Sequence, residues 1–212
     1  HGVTWSVMAG TANFWNVSKV VCDASGNLYV GCNSISNTAG LQRFTKATNT
    51  WTNITPSGLD ARVPDLELSS TGRFHVICGY YNTAAGSAGY RYTDNPATVS
   101  SGTWTSPATT FPTQYNVAIE SNGNTLYALP SNSAWGVPTI YKSTNGGANW
   151  AATGATPAFT SGQAWYCMAV AIDPNNANNV IVGSLDCYKT TNGGTSWTKI
   201  SEWVGTTGQY VH

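Results

Sequence analysis

Short apolar runs separated by turns rich in Gly and Asn recur along the whole chain. Residues 19–31 contain two such runs on either side of a Ser-Gly-Asn turn, and the same pattern recurs at 66–77, 117–128 and 170–183. Paired runs around a tight turn predict β-hairpins. No segment shows the 3.6-residue periodicity of an amphipathic helix. The pattern therefore predicts an all-β protein.

Tryptophans set the length of a larger repeat. Trp5, Trp51, Trp104, Trp150 and Trp197 are 46, 53, 46 and 47 residues apart, and a short β-prone run follows each of them. Each interval also holds one of the hairpins and a third apolar run. Four antiparallel strands in about 47 residues match one blade of a β-propeller. Because one blade cannot bury both of its faces, neighbouring blades must stack on it.

The repeat divides the chain into blades of a single β-propeller region, residues 1–212. We predict four complete blades of four antiparallel strands, at 17–56, 63–110, 115–156 and 166–201. Residues 1–9 are predicted to be the outer strand of a preceding blade, and 202–212 the entry to a following one. A closed ring of four blades would leave that first strand without a sheet. We therefore expect a part of a ring of six to eight blades.

Two turns carry a family resemblance. Ser143-Thr-Asn-Gly-Gly-Ala-Asn-Trp150 and Thr190-Thr-Asn-Gly-Gly-Thr-Ser-Trp197 resemble the Asp-box (BNR repeat) turn, Ser-x-Asp-x-Gly-x-x-Trp, with Asn in place of Asp. Asn makes the same local side-chain bonds to the backbone. The matched positions, for which the resemblance implies a structural role on the outer turn of each blade, are Trp5, Asn145, Gly147, Trp150, Asn192, Gly194 and Trp197.

The resemblance is specific for fold and broad for function, because Asp-box propellers include sialidases, xyloglucan-cleaving glycosidases and sortilin-type receptor domains. The ending Gln209-Tyr-Val-His212 is similar to entry segments of secreted propellers from Bacteroidota-like bacteria. The resemblance thus implies a bacterial protein that is secreted or displayed at the cell surface. No signal peptide is visible at the start of the sequence.

Charge and composition narrow the partners. Only 8% of residues are charged, with nine Lys and Arg against nine Asp and Glu, and no basic run occurs. This argues against nucleic acid, whose binding depends on clustered positive charge. No apolar stretch approaches the ~20 residues of a membrane helix, so we expect no membrane insertion.

Five cysteines leave two possibilities open. Cys22 with Cys32, and Cys167 with Cys187, are the disulfides to test, and buried free thiols are the alternative. No CxxC pair and no metal-ligand spacing of His occurs, which predicts neither a metal site nor a cofactor.

Aromatic residues in the predicted connections between strands are the candidates for ligand binding. Aromatic rings in such loops can stack on sugars, with Asn, Gln and Asp reading the hydroxyls, or can contact a surface protein. The alternative is that they seal contacts between blades. The candidates are Trp15, Tyr80, Tyr81, Tyr115, Trp135, Trp165, Tyr166 and Trp203.

A catalytic role has less support in the sequence. A glycosidase needs two carboxylates flanking the scissile bond, and the carboxylates near inner strands are Asp23, Asp65, Glu67, Glu120, Asp173 and Asp186. Asp65 and Asp186 are the best placed, whereas Asp23 and Asp173 fall at hairpin turns. The four arginines show no sialidase motif. We therefore expect a non-catalytic binding or adhesion propeller, with a glycoside hydrolase as the alternative. Two of these carboxylates about 5–10 Å apart in a central groove would favour the hydrolase.

Overall fold

The computed structural model describes residues 3–33, 39–201 and 203, which form four successive antiparallel sheets. The first sheet contains β1 (Val17–Cys22), β2 (Leu28–Cys32), β3 (Leu41–Thr45) and β4 (Thr50–Asn53), hydrogen-bonded in chain order. Each strand is joined to the next by a short connection, as the repeated hairpins predict. The predicted architecture, a β-propeller with four blades, is confirmed.

The other three sheets repeat this meander. The second has three strands, β5 (Leu66–Leu68), β6 (Phe74–Cys78) and β7 (Gly89–Thr93). The third has β8 (Val117–Asn122), β9 (Thr125–Pro130), β10 (Tyr141–Ser143) and β11 (Ala151–Ala152). The fourth has β12 (Ala169–Asp173), β13 (Asn176–Gly183), β14 (Cys187–Thr190) and β15 (Thr198–Ser201). We number these blades one to four.

Apolar side chains fill the space between consecutive blades. Tyr29 of blade one packs on Phe74 of blade two, with ring centroids 4.7 Å apart. Tyr90 and Phe111 pack on apolar residues of blade three. Tyr127 of blade three packs on apolar residues of blade four. The first strands lie side by side in the order β1, β5, β8 and β12. Stacked sheets thus place their innermost strands around one groove.

The fourth strand of blade two is reduced to a single bridge between Tyr92 and Thr105. In this antiparallel register the next hydrogen-bonded pair would join Tyr90 to Pro107, and proline has no N–H to donate. The Arg91 guanidinium donates to the Tyr90 carbonyl instead, at 2.8 Å. The chain then leaves the sheet, and the Ala108 N–H donates to the Ala148 carbonyl of blade three.

Indole N–H groups connect consecutive blades. Trp104 donates to the Ile54 carbonyl at 2.8 Å, and Trp197 to the Ala155 carbonyl at 3.1 Å. In both pairs the acceptor follows the last strand of the preceding blade. Trp150 is only 5% exposed, but its indole nitrogen has no partner among the described residues. The missing bond falls where the preceding blade has lost its fourth strand.

The two Asn-containing turns have the same hydrogen-bonded geometry. In the first, Ser143 Oγ accepts from the Gly147 N–H, and Asn145 Oδ1 accepts from the Asn149 N–H. In the second, Thr190 and Asn192 repeat these two bonds to Gly194 and Ser196. Each turn is thus held by a local network of bonds between its own residues.

Residues near the start of the chain lie apart from the four sheets. Trp5 is 90% exposed, and residues 3–8 form no strand. The outer strand predicted at 1–9 would pair with a preceding blade, and it stays a prediction. Without a neighbouring strand its backbone has no ladder to join. Residues 9–14 cover blade one instead, with Phe14 4.8 Å from the Trp51 ring. Residues 1–2 and the predicted entry segment 202–212, apart from Trp203, lie outside the described residues.

All five cysteines are free. Of the two possibilities that the sequence leaves open, the structure therefore has free thiols. Cys22 and Cys32 occupy opposite ends of one hairpin, Cys22 facing Leu28 and Cys32 facing Val17. Cys167 and Cys187 form no disulfide either, and the Cys167 sulfur lies 3.0 Å from Ser184 Oγ. Burial raises the pKa of the Cys78 thiol to about 12.

Candidate functional site

Six of the eight predicted aromatic residues form one continuous surface, which we call the aromatic surface. Trp135, between β9 and β10, is its centre. Tyr81 stacks on it at 5.6 Å and 20°, and Tyr115 meets it edge-on at 5.4 Å. Tyr80 lies 6.3 Å from the same ring and donates from its hydroxyl to the Trp165 carbonyl at 3.0 Å. Trp165 in turn packs on Tyr166 at 4.2 Å.

The loops that present these rings have an unusual backbone. Tyr81, Asn82 and Trp135 all have positive φ, between 47° and 56°. The left-handed region costs a residue with a Cβ roughly 1–2 kcal/mol, so the surrounding structure must enforce it. Hydrogen bonds supply that support: Tyr115 donates to the Asn82 side chain, and the Thr83 N–H donates to the Gln114 carbonyl. The rings are therefore held in place before any ligand arrives.

The aromatic surface borders a central groove of about 580 Å³. Tyr80, Trp165 and Tyr166 form part of its wall. The inner strands β1, β5, β8 and β12 or the residues just before them form the rest. Main-chain and amide groups of Asn16, Asn33 and Asn116 also line it. A ligand on the rings would thus reach polar groups within the groove.

Charged side chains of blades one and two form a cluster at the groove floor that also bonds to blade three. Lys19 Nζ lies 3.2 Å from Asp65 Oδ1 and 3.2 Å from Glu67 Oε2. The two carboxylate oxygens are no more than 6.4 Å apart, since both lie 3.2 Å from the same nitrogen. Asp65 Oδ2 also accepts from the Ile119 N–H at 2.8 Å, and Glu67 Oε1 accepts from Ser121 Oγ at 2.7 Å. The cluster therefore joins blades one, two and three.

Burial and neighbouring charges shift the pKa values of Lys19, Asp65 and Glu120. Burial opposes the charge on Lys19, but the carboxylates of Asp65 and Glu67 outweigh it and raise the pKa of the lysine. Burial raises the pKa of Asp65 although Lys19 opposes the change. Glu120 lines the groove beside them. Burial, and then the charge of Glu67, raise the pKa of Glu120.

The remaining predicted residues lie apart from this cluster. Asp186, expected to face the ligand with Asp65, does not line the groove; it pairs with Lys199 Nζ at 3.0 Å and accepts from the Trp203 N–H. Of the two carboxylates that the sequence places best for a ligand, Asp65 lines the groove and Asp186 does not. Trp15 stands next to Asn16 at the edge of the groove. Asp23 and Asp173 cap hairpin turns by accepting from nearby N–H groups.

Lys19 was missed by the sequence reasoning. Each of the first three blades contributes one charged position from its first strand, namely Lys19, Glu67 and Glu120, and this recurrence was the available signal. Among the described ranges no group of three His, Cys, Asp or Glu side chains is arranged to hold a metal ion. In the same part of the chain no helix could cross a membrane.

Comparison with known proteins identifies the fold. No family model and no curated protein matches the chain. Among solved structures, the GH74 enzyme of Niastella koreensis matches 89% of the chain at 18% identity, with a TM-score of 0.64. The GH74 xyloglucanase of Xanthomonas campestris matches 85% at 20% identity and a TM-score of 0.58. The chain covers 30% and 28% of those two proteins.

A third matching structure is not described as an enzyme. The extracellular domain of a one-component system protein, BT4673 from B. thetaiotaomicron, aligns with 94% of the chain at 15% identity and a TM-score of 0.58. The chain covers 23% of that protein. Identities this low establish a shared β-propeller fold and nothing about chemistry.

Proposed function

We propose that this chain is a non-catalytic carbohydrate-binding propeller of an exported or cell-surface protein, with a role in adhesion. The aromatic surface carries the proposal. Trp135, Tyr81 and Tyr115 present ring faces and edges in fixed positions, and Trp165 and Tyr166 continue them to the groove. Pyranose rings stack on such surfaces, while groove amides such as Asn116 can bond to hydroxyls.

The charges of the groove define the sugars it accepts. Asp65 and Glu120 line it, Glu67 stands behind them, and Lys19 is the one cation that pairs with the cluster in the described residues. Negative charge in a partly desolvated groove repels anions. We therefore expect uncharged oligosaccharides to bind here, and nucleic acid not to bind.

The wider setting forms part of the same proposal. The relatives by fold include glycoside hydrolases and a protein described as an extracellular domain, which supports export. We propose that the two Asn-containing turns are Asp-box repeats. We also propose that the partners are a glycan or a surface protein and the remaining part of the same propeller.

Glycoside hydrolysis is the second candidate, and one observation favours it. Asp65 and Glu67 lie close together on Lys19, and burial raises the pKa of the nearby Glu120, as in a general acid. However, each of the two oxygens of Asp65 and of Glu67 already accepts a hydrogen bond or pairs with Lys19. Binding without hydrolysis is therefore the better-supported function.

A glycan array with wild type, Trp135→Ala and Trp165→Ala tests the binding proposal. Trp5→Ala is the matched control, because Trp5 is an exposed tryptophan outside the aromatic surface. We expect Trp135→Ala to weaken binding at least tenfold, as loss of one stacked ring costs about 1–3 kcal/mol in other aromatic platforms. Unchanged binding by both variants would remove the aromatic surface from the function.

The same glycans distinguish the second candidate. Incubation of the bound oligosaccharide with wild type and with Glu120→Gln, followed by chromatography, should return it intact in both cases. Cleavage by wild type that is lost in Glu120→Gln would replace the binding proposal with hydrolysis.

A further inference from the structure

A second cavity, of about 320 Å³, lies at the open edge of blade two. It occupies the place where a fourth strand would continue past the Tyr92–Thr105 bridge. The edge of β7 from Gly89 to Arg91 forms one wall, and the segment 106–114, which turns away toward blade three, forms the other. The loss of the strand at Pro107 thus leaves a partly open cavity at this edge.

An arginine without a carboxylate partner lines this cavity. Arg62 pairs with Asp60 and Arg73 pairs with Asp94, whereas no Asp or Glu pairs with Arg91 among the described residues. Arg91 Nη1 donates to the Tyr90 carbonyl. The described residues offer no hydrogen-bond partner for its Nε and Nη2, the edge with which arginine binds oxyanions through two parallel bonds.

Other donors surround the guanidinium. Tyr92 exchanges both backbone hydrogen bonds with Thr105, so the alternation of the strand directs the Tyr90 N–H to the same open edge. That N–H has no backbone partner in the described part of the chain. Hydroxyls of Ser106 and Thr110 and the amide of Gln114 also line the cavity, and no carboxylate does.

We propose that this cavity binds an oxyanion, namely a carboxylate, sulfate or phosphate group carried by a small ligand. A guanidinium fork, a free N–H and hydroxyl donors can together bond to the charged oxygens of such a group. The absence of acidic side chains from its lining contrasts with the central groove, where Asp65 and Glu120 repel anions. This site does not depend on the proposed carbohydrate binding.

Titration followed by NMR tests the proposal directly. Sodium sulfate, sodium phosphate and sodium acetate are added to ¹⁵N-labelled protein, with sodium chloride at equal ionic strength as the reference. We expect the Arg91 Nε–H and Tyr90 N–H signals to shift and to saturate at millimolar concentration for at least one oxyanion. Shifts that stay linear and equal to those with chloride would overturn the proposal without any variant.

Variants assign the effect to the guanidinium. Arg91→Gln should weaken saturable binding at Tyr90 at least tenfold, and Arg91→Lys should weaken it less, because lysine keeps the charge but not the fork. Lys189→Gln removes the same charge from an exposed position on blade four and should leave binding unchanged. Saturable binding that persists in Arg91→Gln would show that the anion lies elsewhere. Methyl glucuronide and glucose 6-sulfate, run beside acetate and sulfate, show whether the group is recognised on a sugar.

Discussion

Lys19 and Asp65 meet across two blades, with Nζ 3.2 Å from Oδ1, and the same ammonium lies 3.2 Å from Glu67. The Lys19 side chain is 30% exposed, whereas those of the two acids are 14% and 12% exposed. One cation thus pairs with two nearly buried carboxylates. Removal of the Lys19 ammonium would leave both carboxylates without this counter-ion, and the cost of that loss measures its contribution to stability.

Lys19→Ala should destabilise the protein by about 3 kcal/mol, because two carboxylates would remain buried without a counter-ion. Urea unfolding at pH 7 measures the loss. Lys189→Ala, at an exposed position, is the control and should change stability by less than about 0.5 kcal/mol. Equal effects of the two substitutions would mean that Asp65 and Glu67 are stabilised by their backbone and Ser121 partners alone.

His75 should make the protein sensitive to acid. It is buried with Nδ1 2.7 Å from the Tyr90 hydroxyl, and burial lowers its pKa to about 3, with a further lowering from Arg73 and an opposing effect of Asp94. The unfolded chain has a histidine pKa near 6.5. Between pH 6.5 and 3 the unfolded chain therefore binds a proton at this histidine and the folded state does not. Because of this difference, the free energy of unfolding falls as pH falls through this window.

His75→Gln tests that sign, because a glutamine oxygen can still accept from the Tyr90 hydroxyl. Urea unfolding of both proteins at pH 7, 5 and 4 should show a smaller loss of stability on acidification in the variant. The difference should reach roughly 2–4 kcal/mol by pH 4. Parallel curves would assign the acid sensitivity to the carboxylates alone.

Gly147 tests the Asn-containing turn. Its φ is +80°, and a Cβ there would lie 1.8 Å from the Tyr90 hydroxyl oxygen. Gly147→Ala should therefore cost about 1–2 kcal/mol of backbone strain and about 1–3 kcal/mol of overpacking. Gly123→Ala is the matched control, with φ +59° and no atom within 4 Å of its Cβ, and should show only the strain. Similar melting temperatures for the two variants would refute the close packing at Gly147.

Glu120 should lower stability at neutral pH. Because its folded pKa is raised, the unfolded chain releases its proton more readily, and stability decreases as pH rises above the ordinary glutamate value. Glu120→Gln should raise the urea midpoint at pH 7 and leave it unchanged near pH 3.5. A midpoint that falls at pH 7 would show that the carboxylate is stabilising and that its raised pKa has been misassigned.

The repeat predicted more of this molecule than the chemistry did. Spacing of tryptophans and hairpins predicted an all-β propeller architecture with four blades, because both signals are local in sequence. The position of Trp135 between the second and third strands of its blade followed from the same pattern. By contrast, the Lys19 cluster depends on contacts 46 and 48 residues apart, between first strands of different blades. No local pattern specifies which side chains meet there.

Two misplacements have physical causes that are visible in the chain. The sequence predicts Asp186, with Asp65, to be among the carboxylates best placed for a ligand. However, Asp186 forms an ion pair with Lys199 of the adjacent outer strand. The fourth strand of blade two was expected across 63–110, yet Pro107 falls where that strand must donate a hydrogen bond. The proline was available as a signal, since it is excluded from such positions.

The exposure of one free thiol allows the protein to be labelled at a chosen position. Cys22 is exposed, whereas the other four cysteines are buried or partly buried. It ends β1 at the turn capped by Asp23, while the groove is lined from the opposite end of that strand, Asn16–Lys19. A maleimide reagent should therefore attach a dye or a surface tether at one defined point. A molecule immobilised through Cys22 would present its aromatic surface outward, in a single orientation, to whatever flows past it.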